Sequence, residues 1–231
     1  GVLTDATADM AFCLLIAAAR RVVEGHQYTV SGQWKTWEPL GHLGQDLAGR
    51  TIGVIGMGRI GYAFARRCRF GWDMKVLYHD VMKSDKAERE LGAQWVELDT
   101  LLREADFVSL HADLNEKTRG LLGREQFQKM KRTAILINTA RGPLVDQKAL
   151  AEALKAGTIF AAGLDVTDPE PPAMDEPLLK LPNVVIAPHI ASATVQTRNA
   201  MADICANNLI AGVTGQKLPA WVNPDVEPRR R

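Results

Sequence analysis

Residues 51–61 read TIGVIGMGRIG. A short apolar run of strand length breaks at Gly56-x-Gly58-x-x-Gly61, and a helix-periodic segment, residues 59–70, follows at once. Strand, glycine turn and helix in that order make a phosphate-binding βα turn. Gly56 allows the tight turn, Gly58 lets the backbone approach a pyrophosphate, and Gly61 lets helix and strand pack closely. The helix N-terminus adds free N–H groups and a positive dipole end. Three glycines can also be a plain turn, so the reading depends on what surrounds them.

The next apolar run, residues 75–79, ends at Asp80, nineteen residues after Gly61. A carboxylate there accepts hydrogen bonds from ribose hydroxyls and repels a 2′-phosphate, which selects NAD over NADP. The bland alternative is an aspartate that closes a strand in a turn. Arg59, inside the glycine turn, either touches the pyrophosphate or is a solvated first-turn residue. From Thr51 onward apolar strands and helical patterns alternate. Further strands are expected at 94–96, 107–111, 134–138, 160–166 and 184–187, and helices at 84–91, 98–104, 125–130, 146–155 and 193–210. That alternation predicts an α/β fold, a doubly wound parallel sheet of Rossmann type with helices on both faces. The Pro-, Asp- and Glu-rich residues 168–182 read as loop, and residues 212–224 as an extended tail.

Before the glycine turn, residues 5–25 read as one long connecting helix with apolar residues on more than one face, capped by Thr4 or Asp5. The polar stretch that follows holds Trp34 and Trp37. Two tryptophans in a loop are expected to pack on a neighbouring domain or subunit, or else on this same domain. The expected organisation is a connecting helix and interdomain or dimer loop over 1–50, an NAD-binding domain over 51–192, and a closing helix and C-terminal segment over 193–231.

A 46% hydrophobic, 24% charged composition is that of a globular protein with a sizeable core, and a net charge of +1 gives no electrostatic case for nucleic acid or an anionic membrane. Cys13, Cys68 and Cys205 are isolated, form no metal-ligand spacing and read as thiols in a reducing compartment, hence a cytoplasmic protein. The most apolar run, residues 10–19, is too short to span a bilayer, and no signal peptide is visible. The basic tail Arg229 to Arg231 reads as disordered.

In a doubly wound sheet, ligands lie outside the carboxyl ends of the strands. Three strands end in polar residues there: INTARG at 137–142, LDVTDPE at 164–170 and IAPHI at 186–190. Singly, Arg141, Asp165, Glu170 and His189 each have an ordinary structural reading. Jointly, beside a dinucleotide site, they suit reduction of a 2-keto acid, which needs a cation for its carboxylate and carbonyl oxygen, a hydride donor, and a proton for the oxygen that becomes an alkoxide. Arginine grips a carboxylate bidentately, and histidine donates a proton near neutral pH.

These residues carry a resemblance. The segment MKRTAILINTARGPLVD at 130–146, the spacing from Arg141 to Glu170 and the run PHIAS at His189 resemble the NAD-dependent D-2-hydroxyacid dehydrogenase family. WKTWEP at Trp34, LDVTDPEPP at Leu164 and LPAWVNP at Leu218 look most like its glyoxylate and hydroxypyruvate reductases. The resemblance implies His189 as general acid, Glu170 as its partner and Arg141 as the substrate-holding group. It implies Asp165 as acceptor for the nicotinamide amide, and His111, Thr118, Thr139 and Ala140 as cofactor contacts beside Gly58, Arg59, Ile60 and Asp80. It further implies NAD as cofactor, a small 2-keto or 2-hydroxy acid as substrate, no metal, and a homodimer formed through the cofactor domain. Two departures stand out: Asp113 replaces the usual proline, which leaves the rigidity of that loop open, and Thr167 stands where many relatives have Phe.

Family members place a substrate domain before the helix that opens this chain, so most of that domain is expected to be missing here, with residues 5–25 exposed in consequence. The expected function is NADH-dependent reduction of glyoxylate or hydroxypyruvate to the D-2-hydroxy acid, and its reverse. The alternatives are an NAD(H)-binding protein resembling the transcriptional co-repressors of this fold, or an inactive cofactor-binding fragment.

Overall fold

The computed structural model describes residues 1–223. Part of the expected tail, Pro224, and the basic residues Arg229 to Arg231 lie outside them. The helices are α1 (Thr4–Ala19), α2 (Val22–Val30), α3 (Arg59–Trp72), α4 (Asp85–Leu91), α5 (Leu98–Glu104), α6 (Arg124–Lys129), α7 (Gln147–Lys155) and α8 (Val195–Val213). The strands are β1 (Thr51–Ile55), β2 (Lys75–His79), β3 (Gln94–Trp95), β4 (Phe107–Leu110), β5 (Ile135–Asn138), β6 (Ala161–Leu164) and β7 (Val184–Ile186). They form one parallel sheet in the order β3-β2-β1-β4-β5-β6-β7. The chain starts in the middle, runs to one edge, then returns past β1 to build the other half. That reversal opens a crevice between the carboxyl ends of β1 and β4.

Both faces of the sheet are covered, which is why its strands are near-continuous apolar runs. Alternate residues point opposite ways. Ile135 and Ile137 join α1, α3 and α4 in one core with Leu15, Phe64 and Leu91, whereas Leu136 joins α5, α6 and α7 in the other with Leu101, Phe127 and Leu150. Helix starts follow local chemistry. Ser84, Asp146 and Thr194 each accept the backbone N–H three residues on, at 3.3, 3.0 and 3.1 Å. Gly92, at φ 64°, closes α4 in the left-handed conformation.

Three expectations for the ends of the chain need correction. The single helix over 5–25 is two helices, because Arg21 turns left-handed (φ 52°) between α1 and α2, with its guanidinium bound to Glu24. The N-cap of α1 is Leu3, without a side-chain cap. The first helix is not left exposed: Ala8, Ala11, Leu14, Leu15 and Ala18 are buried, and α1 packs against α3, β5, β6 and β7. The uncovered apolar residues lie further on, at Val22, Val23 and Val30 of α2, at Leu209 and Ile210 of α8, and at Trp34 and Trp37, which are 59% and 80% exposed. The tryptophans therefore do not pack on this chain. The acidic loop after β6 contains a short 3-10 helix, Pro177–Lys180, in which the Glu176 side chain accepts the Leu178 N–H at 3.3 Å.

Close approach of α1 to β6 requires Gly163, where an added Cβ would stand 2.9 Å from Leu14 Cβ and 3.1 Å from the Leu14 carbonyl oxygen. Gly163→Ala should push α1 off the sheet and lower stability by about 1–3 kcal/mol. Urea denaturation is the measurement, and an unchanged midpoint would contradict the packing.

Candidate cofactor and catalytic site

The turn after β1 is fixed by contacts that exclude side chains. Gly56 has φ 93°, and a Cβ on it would lie 2.6 Å from the Ala112 nitrogen, at the end of β4. A Cβ on Gly61 would lie 2.0 Å from the Gly56 carbonyl oxygen, so α3 touches the turn backbone to backbone. Gly58 has open space around it and caps α3 without any side-chain hydrogen bond, which leaves the first-turn N–H groups facing the crevice. These are the three roles expected of the glycines.

Gly56, Gly58, Arg59, Ile60, Asp80, His111 and Thr118 line one cleft of about 820 Å³ at the crevice between β1 and β4. Asp80 accepts the Met57 N–H through Oδ2 at 2.7 Å, which ties the carboxylate to the glycine turn. Opposite, the Asn115 side-chain oxygen accepts the Lys117 N–H at 2.9 Å, and Thr118 Oγ1 donates to the Asp113 carbonyl oxygen at 2.7 Å. These bonds close the loop whose rigidity the replacement of proline by Asp113 left open. Sequence reasoning missed Leu3 and Thr4, which also line the cleft. Their signal was only positional, since nothing local marks the start of α1 as part of a site.

His111 lies beneath the cleft floor, its Nε2 2.9 Å from Ser109 Oγ and its ring against Phe64. Burial pushes its pKa down to about 3, so it is a neutral imidazole at working pH. A backbone contact with the cofactor, as expected, is compatible with this packing.

The remaining expected residues gather beyond the cleft, on the loops after β5, β6 and β7. Asn138, buried at the end of β5, bridges the next turn: its Nδ2 donates to the Arg141 carbonyl oxygen at 2.9 Å and its Oδ1 accepts the Ala140 N–H at 3.0 Å. Sequence reasoning did not single it out, although a polar residue ending an all-apolar strand was the available sign. Thr139 is buried and its Oγ1 has no partner. Arg141 is exposed, with one guanidinium N–H on the Ala140 carbonyl oxygen at 2.6 Å. Gly142 brings this loop onto the next, since a Cβ there would overlap the Thr167 carbonyl group.

Glu170 and His189 form a pair, Oε2 to Nδ1 at 2.7 Å, which leaves Nε2 as the ring nitrogen without a protein partner among the described residues. The other Glu170 oxygen accepts the Thr167 N–H at 3.1 Å. His189 itself is left-handed (φ 54°), an uncommon conformation for a residue with a side chain. The turn is held by Asp165, 1% exposed, which accepts Ile190 N–H at 2.8 Å and Ala191 N–H at 2.7 Å, one on each oxygen. Burial pushes the Asp165 pKa up, against these two bonds, which pull it down. Each Asp165 oxygen accepts one N–H of the histidine loop and keeps acceptor capacity for an amide of the kind the resemblance implies.

An open glycine turn capped by free N–H groups, a carboxylate fixed beside it and an unpaired buried hydroxyl fit a dinucleotide that spans from Asp80 to Thr139. Among the described residues no three His, Cys, Asp or Glu side chains gather as a metal-binding group.

Comparison with known proteins agrees with the geometry. Residues 12–191 match the family described as D-isomer specific 2-hydroxyacid dehydrogenase, NAD binding domain. The chain is 56% identical over 227 residues to a glyoxylate reductase of Korarchaeum cryptofilum, covering 98% of this chain and 68% of that protein. It is 50% identical over 230 residues to a glyoxylate reductase of Thermococcus litoralis, covering 98% and 69%. A crystal structure of a Thermus thermophilus protein superposes with a TM-score of 0.91 at 51% identity, over 96% of this chain and 69% of the other.

His111 should leave a mark on stability. Its folded pKa lies below the ordinary histidine value, so below about pH 6.5 the unfolded chain binds a proton that the folded chain refuses. Stability from this group is complete above pH 6.5 and is lost as pH falls towards 3. Urea midpoints measured across that window should fall with pH, and His111→Gln should flatten the slope; a parallel slope in the variant would refute the assignment.

Proposed function

Because the chain belongs to the D-isomer specific 2-hydroxyacid dehydrogenase family, we propose that it is an NAD-dependent oxidoreductase that reduces glyoxylate or hydroxypyruvate to the 2-hydroxy acid, and runs the reverse reaction. The single observation that carries the proposal is the Glu170–His189 pair on the loops at the carboxyl edge of the sheet that holds the dinucleotide cleft. High identity to glyoxylate reductases supports the substrate class.

The residues divide the work as follows. The N–H groups at the start of α3, beside Gly58 and Ile60, and the Arg59 side chain hold the pyrophosphate. Asp80 accepts from the adenosine ribose. The turn at Thr139 and Ala140, stiffened by Asn138, supports the nicotinamide half. When bound, the nicotinamide supplies a hydride to the carbonyl carbon of the keto acid. Arg141, always charged, holds the substrate carboxylate and withdraws charge from the carbonyl oxygen. His189 delivers a proton from Nε2 to that oxygen as it becomes a hydroxyl, and in the reverse direction takes the proton back. Glu170 on Nδ1 fixes ring orientation, while Asp165 holds the turn on which the ring stands. The bidentate grip of Arg141 favours a short 2-keto acid over a plain aldehyde.

The substrate is a small acid. Exposed apolar side chains on α2 and at Trp34 and Trp37 favour a second copy as the covering partner, hence a homodimer, and three unpaired thiols favour the reducing cytoplasm. Among the described residues no helix is long and apolar enough to cross a membrane.

His189→Gln should lower kcat with glyoxylate and NADH by about 10²- to 10⁴-fold while NADH affinity stays within a factor of about two. Wild-type-like turnover in the variant would remove His189 from its role, and NADH binding without turnover of any 2-keto acid by the parent chain would sink the catalytic reading. Sedimentation should find a dimer that Trp37→Glu weakens.

A further inference from the structure

The carboxylate that selects the cofactor stands one residue past the end of β2, held on the β1 side by the Gly56 N–H on the His79 carbonyl oxygen at 2.9 Å but without ladder bonds on the β3 side. β2 pairs with the edge strand β3 at two positions only, Leu77 with Gln94 and Tyr78 with Trp95, and the last ladder bond runs from Val96 N–H to the Tyr78 carbonyl oxygen at 2.9 Å. Beyond that point β3 has ended, while β2 continues to His79, with Asp80 next in the chain. After Asp80 the chain leaves the sheet, and Val81 and Met82 are 98% and 75% exposed.

Side chains take over where the ladder stops. The Trp95 indole N–H donates to the Asp80 carbonyl oxygen at 2.9 Å. His79 Nδ1 lies 3.0 Å from the Val96 carbonyl oxygen, and its ring rests at 6.0 Å on the Trp95 ring, whose other contact is the Lys83 ammonium at 5.3 Å. From the opposite side, the Met57 N–H of the glycine turn reaches Asp80 Oδ2. Asp80 is thus gripped twice: its backbone by the indole of β3 and its carboxylate by the turn after β1. Among the described residues the hydrogen bond to Oδ1 is a long one, 3.4 Å from the Met82 N–H, and Asp80 lines the cleft.

We infer that Trp95 is a positioning residue for cofactor choice, acting through the Asp80 backbone to hold the carboxylate where it accepts a ribose hydroxyl and opposes a 2′-phosphate. A carboxylate discriminates only when held within a fraction of an ångström of its partner. Without the indole N–H, Asp80 is still held from the β1 side, by the Met57 N–H on Oδ2 and by the Gly56 N–H on the preceding His79 carbonyl oxygen, but loses the bond that fixes its backbone from the β3 side. The inference rests on the dinucleotide reading of the cleft.

The test compares NADH and NADPH binding to the whole chain by nucleotide fluorescence titration. Trp95→Phe keeps a ring against His79 and removes only the donor. It should weaken NADH about five- to tenfold, the size of one neutral hydrogen bond, and leave NADPH nearly unchanged, so that the preference for NADH narrows by the same factor. General loss of structure would weaken both nucleotides alike and is thereby distinguished. In an Asp80→Ala background, Trp95→Phe should have no further effect on NADH, because the carboxylate that the indole positions is gone. An unchanged preference in the single variant, or equal additional loss in the Asp80→Ala background, would overturn the role of Trp95 while leaving the cofactor site in place. Absence of NADH binding by the wild-type chain would overturn both this inference and the proposed function.

Discussion

Everything at the carboxyl edge of the sheet depends on how closely two backbones approach. The turn after β1 lies so near the chain leaving β4 that a single methyl group on Gly56 would collide with the Ala112 amide. Gly61 allows the same closeness between α3 and the turn, and Gly142 between the loops after β5 and β6. Side chains are excluded at these three points, and the polar groups that do chemistry are thereby brought onto one edge. The sheet itself is ordinary apolar packing; what distinguishes this edge is the absence of Cβ atoms where chain segments cross.

The histidine turn is a second dependence of the same kind. The turn that carries a left-handed histidine is held by two backbone bonds to a buried carboxylate, so Asp165 contributes to the site by fixing the His189 loop. Gln147 extends the bracing: its side-chain oxygen accepts the Asp168 N–H at 3.0 Å and its amide donates to Glu176 at 2.8 Å, fastening the acidic loop to the start of α7. The loop that bears Glu170 is therefore anchored at both ends, consistent with a pair that must present one ring nitrogen in a fixed direction.

How much of this was legible in the sequence varied with the range of the interactions involved. The glycine turn, Asp80 and the alternation of strands and helices were readable because each is a local rule: φ sign, strand length, cap chemistry. The split between α1 and α2 was not, since Arg20 and Arg21 suit a helix and only tertiary packing sends Arg21 left-handed. Nor was the burial of α1, because its partners β5, β6 and β7 lie far along the chain. Trp34 and Trp37 were expected to pack on a neighbouring domain or subunit or on this same domain, and sequence offered no way to tell that both stand largely exposed here. Site residues on strand ends were visible as polar letters in apolar runs. Asn138, Gln147 and Trp95, which brace them, were not, because a bracing residue is recognisable only by what it touches.

The burial of α1 ties the two ends of the fold together in time as well as in space. Leu14 packs against Gly163, which belongs to the sixth of seven strands, so the apolar face of α1 is covered only by segments that follow it at a long distance along the chain. Contacts of such sequence separation are formed late and at high loop-closure cost. The half-sheet β1 to β3 with α3 is built from neighbouring segments, whereas the seam between α1 and β6 joins distant ones, in the same half of the sheet as the strands that carry Arg141, Glu170 and His189.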